Sequence, residues 1–289
     1  MATEKLAIIK AKSLTYTYPI GAKPAFEDVT LEIKEGEFVI LTGPSGCGKT
    51  TLCRCFNGLI PHFYGGRLDG EIEVAGMRVV EHQIHELAQH VGLVFQNPEN
   101  QLFALSVEKD VAFGLENLGI PREEIRKRVD WALQMADILD LRERAPYELS
   151  GGQQQRVAIA SVLAMHPEVI VLDEPTSFID PLGAQKIFEV INELNEKLGI
   201  TIILVEHRLD LASRYADRII IMNKGRIVLD GEPRKVFDSE EARLVGVGIP
   251  KATRLFQILR EHRFNISEVP VTVEEASIVI KEALKRDRS

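Results

Sequence analysis

The chain has 289 residues, with 35 Lys plus Arg against 43 Asp plus Glu and a formal net charge of −8. Apolar residues make up 45% and charged residues 27%, ordinary globular usage that excludes collagen-like repeats, coiled coil and extended disorder. A general nucleic-acid binder needs a basic face, so no nucleic-acid partner is expected of an acidic chain.

The length suits one large domain, or one domain with an appendage. The longest apolar runs, such as Ile200 to Val205 and Ile219 to Met222, fall far short of the roughly 20 residues that span a bilayer. The first residues lack the basic-then-apolar layout of a secretory signal. Cys47, Cys53 and Cys55 are odd in number and bunched, so a reducing cytoplasm is expected. Cys53 and Cys55 lack the further Cys or His ligands that close a zinc site, and they read as small packing residues on a helix.

In chain order, alternation over 7–18, 26–33 and 71–75 predicts antiparallel strands. An apolar strand over 38–42 runs straight into a Gly-rich turn. From 107 to 166 the pattern is helical, with Ile125, Val129, Leu133 and Ala136 spaced by three or four. Val169 to Leu172 and Ile202 to Val205 are continuous apolar runs, the pattern of strands buried on both faces of a mainly parallel sheet. Between them a helix is predicted to start at Asp180-Pro181, where Asp accepts orphan N–H groups and Pro fits the first helical position, and to stop near Gly199. After Gly231-Glu232-Pro233 the pattern shifts to short amphipathic helices, with an apolar stripe of Ala276, Val279, Ile280, Ala283 and Leu284. That stripe either folds back on its own chain or is a contact with a second one.

Three segments carry chemistry. Gly43-Pro44-Ser45-Gly46-Cys47-Gly48-Lys49-Thr50, followed by Thr51, matches G-x-x-x-x-G-K-[ST] between a predicted strand and a predicted helix. Backbone N–H groups of such a loop cradle phosphate oxygens, Lys49 reaches the terminal phosphates, and the Thr50 hydroxyl can ligate Mg²⁺. Val169 to Leu172 delivers Asp173 and Glu174 at its C-terminal end, where open α/β sheets bind ligands. Asp173 suits the Mg²⁺ shell, and Glu174 suits the base that deprotonates an attacking water. The third segment is Leu149-Ser150-Gly151-Gly152-Gln153-Gln154-Gln155-Arg156, in which Ser150 is placed to cap a helix.

With that third segment the chain resembles the nucleotide-binding subunit of an ATP-binding-cassette (ABC) transporter. The resemblance covers about residues 5 to 235. It implies an α/β fold of the P-loop NTPase cassette type: an antiparallel β subdomain, a mainly parallel core sheet and a helical subdomain at about 97–166. The nucleotide-binding domain would occupy 1–235, and 236–289 would be a small C-terminal helical extension. ATP and Mg²⁺ are the implied cofactors. Ser150, Gly151 and Gly152 would grip the γ-phosphate held by the P-loop of a second subunit, so that ATP lies between two chains. Gln96 resembles the glutamine that ligates Mg²⁺ and senses the membrane partner, and His207 the switch histidine that contacts the γ-phosphate. Asp180 stands where the acid of the D-loop belongs, though Ser-Phe-Ile-Asp replaces the commoner Ser-Ala-Leu-Asp. Tyr18 resembles the aromatic that stacks on adenine, with Tyr16 as the alternative.

Phe95 to Phe103 and Ser106 to Gly114 are similar to the ATPases of energy-coupling-factor (ECF) importers. This implies an ATPase that powers uptake of a vitamin or transition-metal ion at the cytoplasmic face of the cell membrane. Its partners would be a second ATPase subunit, homologous or identical, a transmembrane scaffold and a substrate-binding membrane subunit. The segment would form the groove that receives coupling helices of the scaffold, with Glu99, Glu108 or Asp110 binding their Arg residues. The competing class is a soluble ABC ATPase such as one of iron–sulfur cluster assembly; a non-hydrolysing regulatory subunit would not need Glu174 and His207.

Overall fold

The computed structural model describes residues 6–262 and 268–286, the side chains of 282–286 excepted. Among the described residues ten strands follow one another: β1 (Ala7–Thr17), β2 (Phe26–Lys34), β3 (Phe38–Thr42), β4 (Arg67–Val74), β5 (Met77–Arg78), β6 (Val91–Val94), β7 (Val169–Asp173), β8 (Thr201–Val205), β9 (Arg218–Asn223) and β10 (Arg226–Gly231). They make a four-stranded antiparallel sheet in the order β2-β1-β4-β5 and a six-stranded sheet in the order β10-β9-β3-β8-β7-β6. Only the β10 edge of the larger sheet is antiparallel.

The strand period of two divides the larger sheet's side chains between two cores. Val39 and Leu41 of β3, Val171 of β7 and Ile203 of β8 face one way, into a core shared with the antiparallel sheet and with Leu52 and Phe56 of helix Lys49–Phe56. Phe38, Ile40, Ile170, Leu172, Ile202 and Leu204 face the other way, against Ile187, Phe188 and Ile191 of helix Pro181–Leu198. A third core joins helices Val107–Asn117, Arg122–Met135 and Gly151–Leu163, through Val111, Leu115, Leu133 and Val157 among others. The helix that carries Ile125, Val129 and Leu133 ends at Met135, and Ala136 is its C-cap.

The three cysteines are free and buried in packing positions. Burial raises the thiol pKa of all three, so they stay neutral. No helix among the described residues is long and apolar enough to cross a membrane.

The C-terminal segment begins inside the core of the fold. The division expected at residue 235 falls within helix Pro233–Asp238, whose Val236 and Phe237 pack in the same core as β3 and β8, with Ala242 of helix Glu240–Val245. Phe237→Ala is therefore expected to destabilise the whole fold by about 3–5 kcal/mol, read from denaturant unfolding. A loss below about 1 kcal/mol would mean that the segment is a detachable appendage.

Helices Lys251–Glu261 and Val273–Arg286 complete the tail. Pro250 offers no side-chain cap to the first of them, and Asp210 supplies one from 41 residues upstream by accepting from the Lys251 N–H at 2.7 Å. Arg214 and Arg234 pair with Glu274 and Glu275 of the second helix at 2.5 and 2.8 Å. The apolar stripe of that helix splits. Ala276 is buried against Ala252, Phe256 and Val269 of its own chain, while Val279 and Ile280 are 36% and 39% exposed. The side chains of Ala283 and Leu284 lie outside the described residues.

Candidate active site

The fully buried strand β3 ends at Thr42, and the chain then turns through residues that only glycine suits. Gly43 has φ 147°, and a Cβ there would meet the Met222 carbonyl oxygen at 2.1 Å. Gly48, with φ 104°, caps helix Lys49–Phe56, and a Cβ there would press on the Ala25 carbonyl at 2.7 Å. Ser45 and Gly46 stand exposed at the loop apex, and Pro44 and Cys47 flank them. Lys49 is 4% exposed, and its Nζ donates to the carbonyls of Gly43 at 2.9 Å and Pro44 at 3.1 Å. Its ammonium is thus held over the loop by two neutral acceptors, which a charged phosphate oxygen would outbid.

Thr50 Oγ1 donates to Asp173 Oδ1 at 3.0 Å, joining the loop to the end of β7. Burial raises the Asp173 carboxyl above its ordinary pKa, against the Thr50 hydrogen bond, which lowers it. Glu174 follows with φ 50°, a left-handed backbone that costs a glutamate about 1–3 kcal/mol and is typical of functional sites. Its carboxylate has three neighbours. Gln96 Nε2 and Ser177 Oγ donate to Oε2 at 2.8 and 3.0 Å, and His207 Nε2 lies 3.1 Å from Oε1. With Glu174 ionised, Nε2 carries the proton of that last bond. An ionised carboxylate offers about four acceptor positions, so one remains on Oε1 for an incoming donor.

The structure therefore gathers Lys49, Thr50, Gln96, Asp173, Glu174 and His207 from three loops, one helix start and one strand end. Ser177, in the turn after β7, is a member that the sequence pattern does not single out. Glu206 is another, buried beside His207. Nothing local marks either of them; the second needs the knowledge that an acid at the end of a buried strand is itself buried.

Ser150 stands apart from this group. It caps helix Gly151–Leu163 through a capping box with Gln153, accepting from the Gln153 N–H while Gln153 Oε1 accepts from the Ser150 N–H. Asp180 caps helix Pro181–Leu198 by accepting from the N–H groups of Leu182 and Gly183, both at 3.0 Å. The two helix starts open onto one cleft of about 330 Å³ lined by Ser150, Gly152, Gln153, Asp180 and Gly183 among others, and by no residue of the Gly43–Thr51 loop. Gly151 is exposed, with nothing near the place a Cβ would take.

Of the two tyrosines, Tyr16 is buried and donates to the Gly65 carbonyl at 2.9 Å, with burial pushing its hydroxyl up to about 12. It has no free ring face to offer a base. Tyr18 is partly exposed, edge-on to Tyr16 at 4.8 Å, and its hydroxyl shares a 3.1 Å hydrogen bond with Thr51 Oγ1.

Two of the acids expected to meet a membrane partner are already engaged. Glu108 pairs with Arg142 at 2.6 Å, and Asp110 is 5% exposed, its Oδ1 accepting from the Phe103 and Ala104 N–H groups. The Phe103–Ala104 backbone lies over the helix and covers Asp110. Glu99 alone of the three is exposed without an ion pair among the described residues.

The ABC transporter family model matches residues 26–177, which span the loop, the turn after β7 and the capped signature helix between them. The chain belongs to this family and is an ATPase cassette of it. It is 44% identical to an energy-coupling factor transporter ATP-binding protein, EcfA2, of Clostridium tetani over 96% of each chain. It superposes with a TM-score of 0.74 and 38% identity on cbiO1 of Clostridium perfringens, part of the ABC transporter complex cbiONQ, covering 89% of this chain and 100% of that one. A dimeric post-hydrolysis cassette, MJ0796 bound to ADP and Pi, gives a TM-score of 0.67 and 34% identity over 78% of this chain and 98% of that one. The chain spans about half the length of other curated relatives, 44% of a putative ABC transporter ATP-binding protein of Methanosarcina mazei with which it shares 45% identity.

Proposed function

We propose that the chain hydrolyses MgATP as one of two cassettes of an ECF-type importer, held peripherally at the cytoplasmic face of the membrane and powering uptake of a vitamin or a transition-metal ion. The observation that carries the reading is the Glu174 carboxylate, fixed by Gln96, Ser177 and His207 and adjacent to the Thr50–Asp173 pair.

The Thr50 hydroxyl, the Asp173 carboxylate and the amide oxygen of Gln96 form an all-oxygen donor set, which fits Mg²⁺ held by one carboxylate and substrate phosphates. When bound, the ion would offset phosphate charge and favour the ionised form of the Asp173 carboxyl, against the burial that disfavours it. Lys49 and the loop N–H groups hold the terminal phosphates, Tyr18 offers a ring face to the base, and Glu174 takes the proton of the attacking water at Oε1. Gln96 and His207 keep that carboxylate oriented, and Ser150, Gly151, Gly152 and Asp180 serve the nucleotide on the partner cassette.

Support for a membrane partner comes from Phe103, Leu105 and Phe113, which are 64%, 77% and 45% exposed, with the Phe103 and Phe113 rings 4.6 Å apart. These exposed apolar side chains, with the exposed acid Glu99 four residues before Phe103 in the chain, fit a short helix bearing an Arg. The test is capture of the tagged chain from solubilised membranes. Co-purification with hydrophobic subunits and phosphate release supports the reading, and recovery from the soluble fraction alone, without them, contradicts it.

The exposed Val279 and Ile280 are assigned to a contact with the second cassette that persists without nucleotide. The double variant Val279→Glu, Ile280→Glu is expected to shift the nucleotide-free pair to monomers in light scattering, with ATP binding retained. An unchanged mass would overturn the contact.

A further inference from the structure

A buried acid next to His207 has no part in the chemistry described so far. Glu206 follows the fully buried strand β8 and is 2% exposed. A carboxylate taken from water to that depth is costly unless its oxygens are well satisfied. Here they are, and by unusual partners. Oε1 accepts from the backbone N–H of His207 at 2.7 Å and of Arg208 at 2.9 Å, and Oε2 accepts from Thr176 Oγ1 at 2.6 Å.

Thr176 sits two residues after Glu174, in the turn that also brings Ser177 Oγ to the Glu174 carboxylate. The Glu174 N–H in turn donates to the Val205 carbonyl at 2.9 Å, directly before Glu206. Glu206 thereby closes a ring. One of its oxygens grips the peptide that carries His207, the other grips the turn that carries Glu174, and the two functional side chains meet across the ring at 3.1 Å.

We propose that Glu206 is a positioning residue of the hydrolytic site, fixing the switch peptide to the Glu174 turn so that His207 Nε2 and the Glu174 carboxylate keep their separation. The proposal rests on the reading of Glu174 and His207 as hydrolytic groups. It assigns Glu206 no contact with the nucleotide. Losing it frees the peptide on which His207 stands, and a misplacement of about 1 Å at such a site can cost about 10²-fold in rate.

The test compares Glu206→Ala, Glu206→Gln, Thr176→Val and Glu174→Gln in the full chain, reading kcat and, separately, ATP affinity with a fluorescent nucleotide. Glu206→Ala is expected to lose on the order of 10–10²-fold in kcat with ATP affinity held within about twofold. Glu206→Gln keeps the shape, an acceptor for the two N–H groups and a donor for the Thr176 hydroxyl, and is expected to recover most of that loss. Thr176→Val removes one bond of the ring and should lower kcat at unchanged affinity, and it decides the matter should Glu206→Ala fail to fold. Loss of kcat and affinity in step, or a Gln variant no better than Ala, would overturn the proposal and make Glu206 a general stabiliser. Parental turnover in Glu174→Gln would overturn the underlying site reading instead, whereas dead Glu174→Gln beside active Glu206→Ala and Thr176→Val would overturn this proposal alone.

Discussion

Glu174→Gln is expected to bind ATP as the parent does and to hydrolyse it slower by a factor of about 10² or more. A positioned general base contributes roughly 10²–10⁴ to a rate, and the amide has lost the basicity while keeping the size. The geometry makes the loss specific. Gln96, Ser177 and His207 already occupy three acceptor positions of the carboxylate, so the remaining one is where water can be deprotonated. Phosphate release at saturating MgATP is the measurement. Unchanged turnover would remove Glu174 from the reaction and leave its left-handed backbone and its three neighbours without a purpose.

Ser150→Arg is expected to abolish ATP-driven closure of two cassettes while leaving nucleotide binding to the single chain nearly intact. Ser150 belongs to the cleft shared with Asp180, and that cleft includes no residue of the chain's own phosphate loop. A long cation there blocks what the exposed helix start would otherwise meet on a partner. Locally the change removes a cap worth about 1 kcal/mol, too little to unfold a domain of this size. Light scattering in a Glu174→Gln background, with and without MgATP, reads the closure. A Ser150→Arg chain that doubles its mass with ATP as the parent does would contradict the composite site.

The phosphate loop was legible because its constraints are local. Gly43 and Gly48 adopt backbone angles that exclude other residues, and the strand before them and the helix after them carry their own patterns. The caps at Asp180 and Ser150 were legible for the same reason, since a cap bonds within three residues of itself. Strands β9 and β10 were not, because four apolar residues from Ile219 to Met222 have no periodicity to separate strand from helix, and only pairing with β3 decides. The partners that engage Glu108 and Asp110 within the chain were not legible because they arrive from elsewhere: Arg142 from beyond the next helix, and the Phe103 and Ala104 amides from a loop folded over the helix. Glu206 was invisible for a related reason. Its hydroxyl partner Thr176 lies 30 residues away, and charge burial of that kind is a property of the assembled sheet, not of the strand that bears it.

The central claim is that a working site takes its phosphate loop from one chain and its signature serine from another. Two variants of the chain separate these parts: Lys49→Ala disables the loop and keeps Ser150, while Ser150→Ala removes the signature hydroxyl without the bulk that blocks closure and keeps Lys49. Each alone should hydrolyse ATP slower by about 10² or more. Mixed in equal amounts, with copies pairing freely, they form hybrid pairs in which one of the two sites has both parts intact. The account predicts that MgATP hydrolysis reappears in the mixture at a substantial fraction of the parental rate. A mixture no faster than the mean of its two components, under conditions where the parent pairs and hydrolyses, would contradict it.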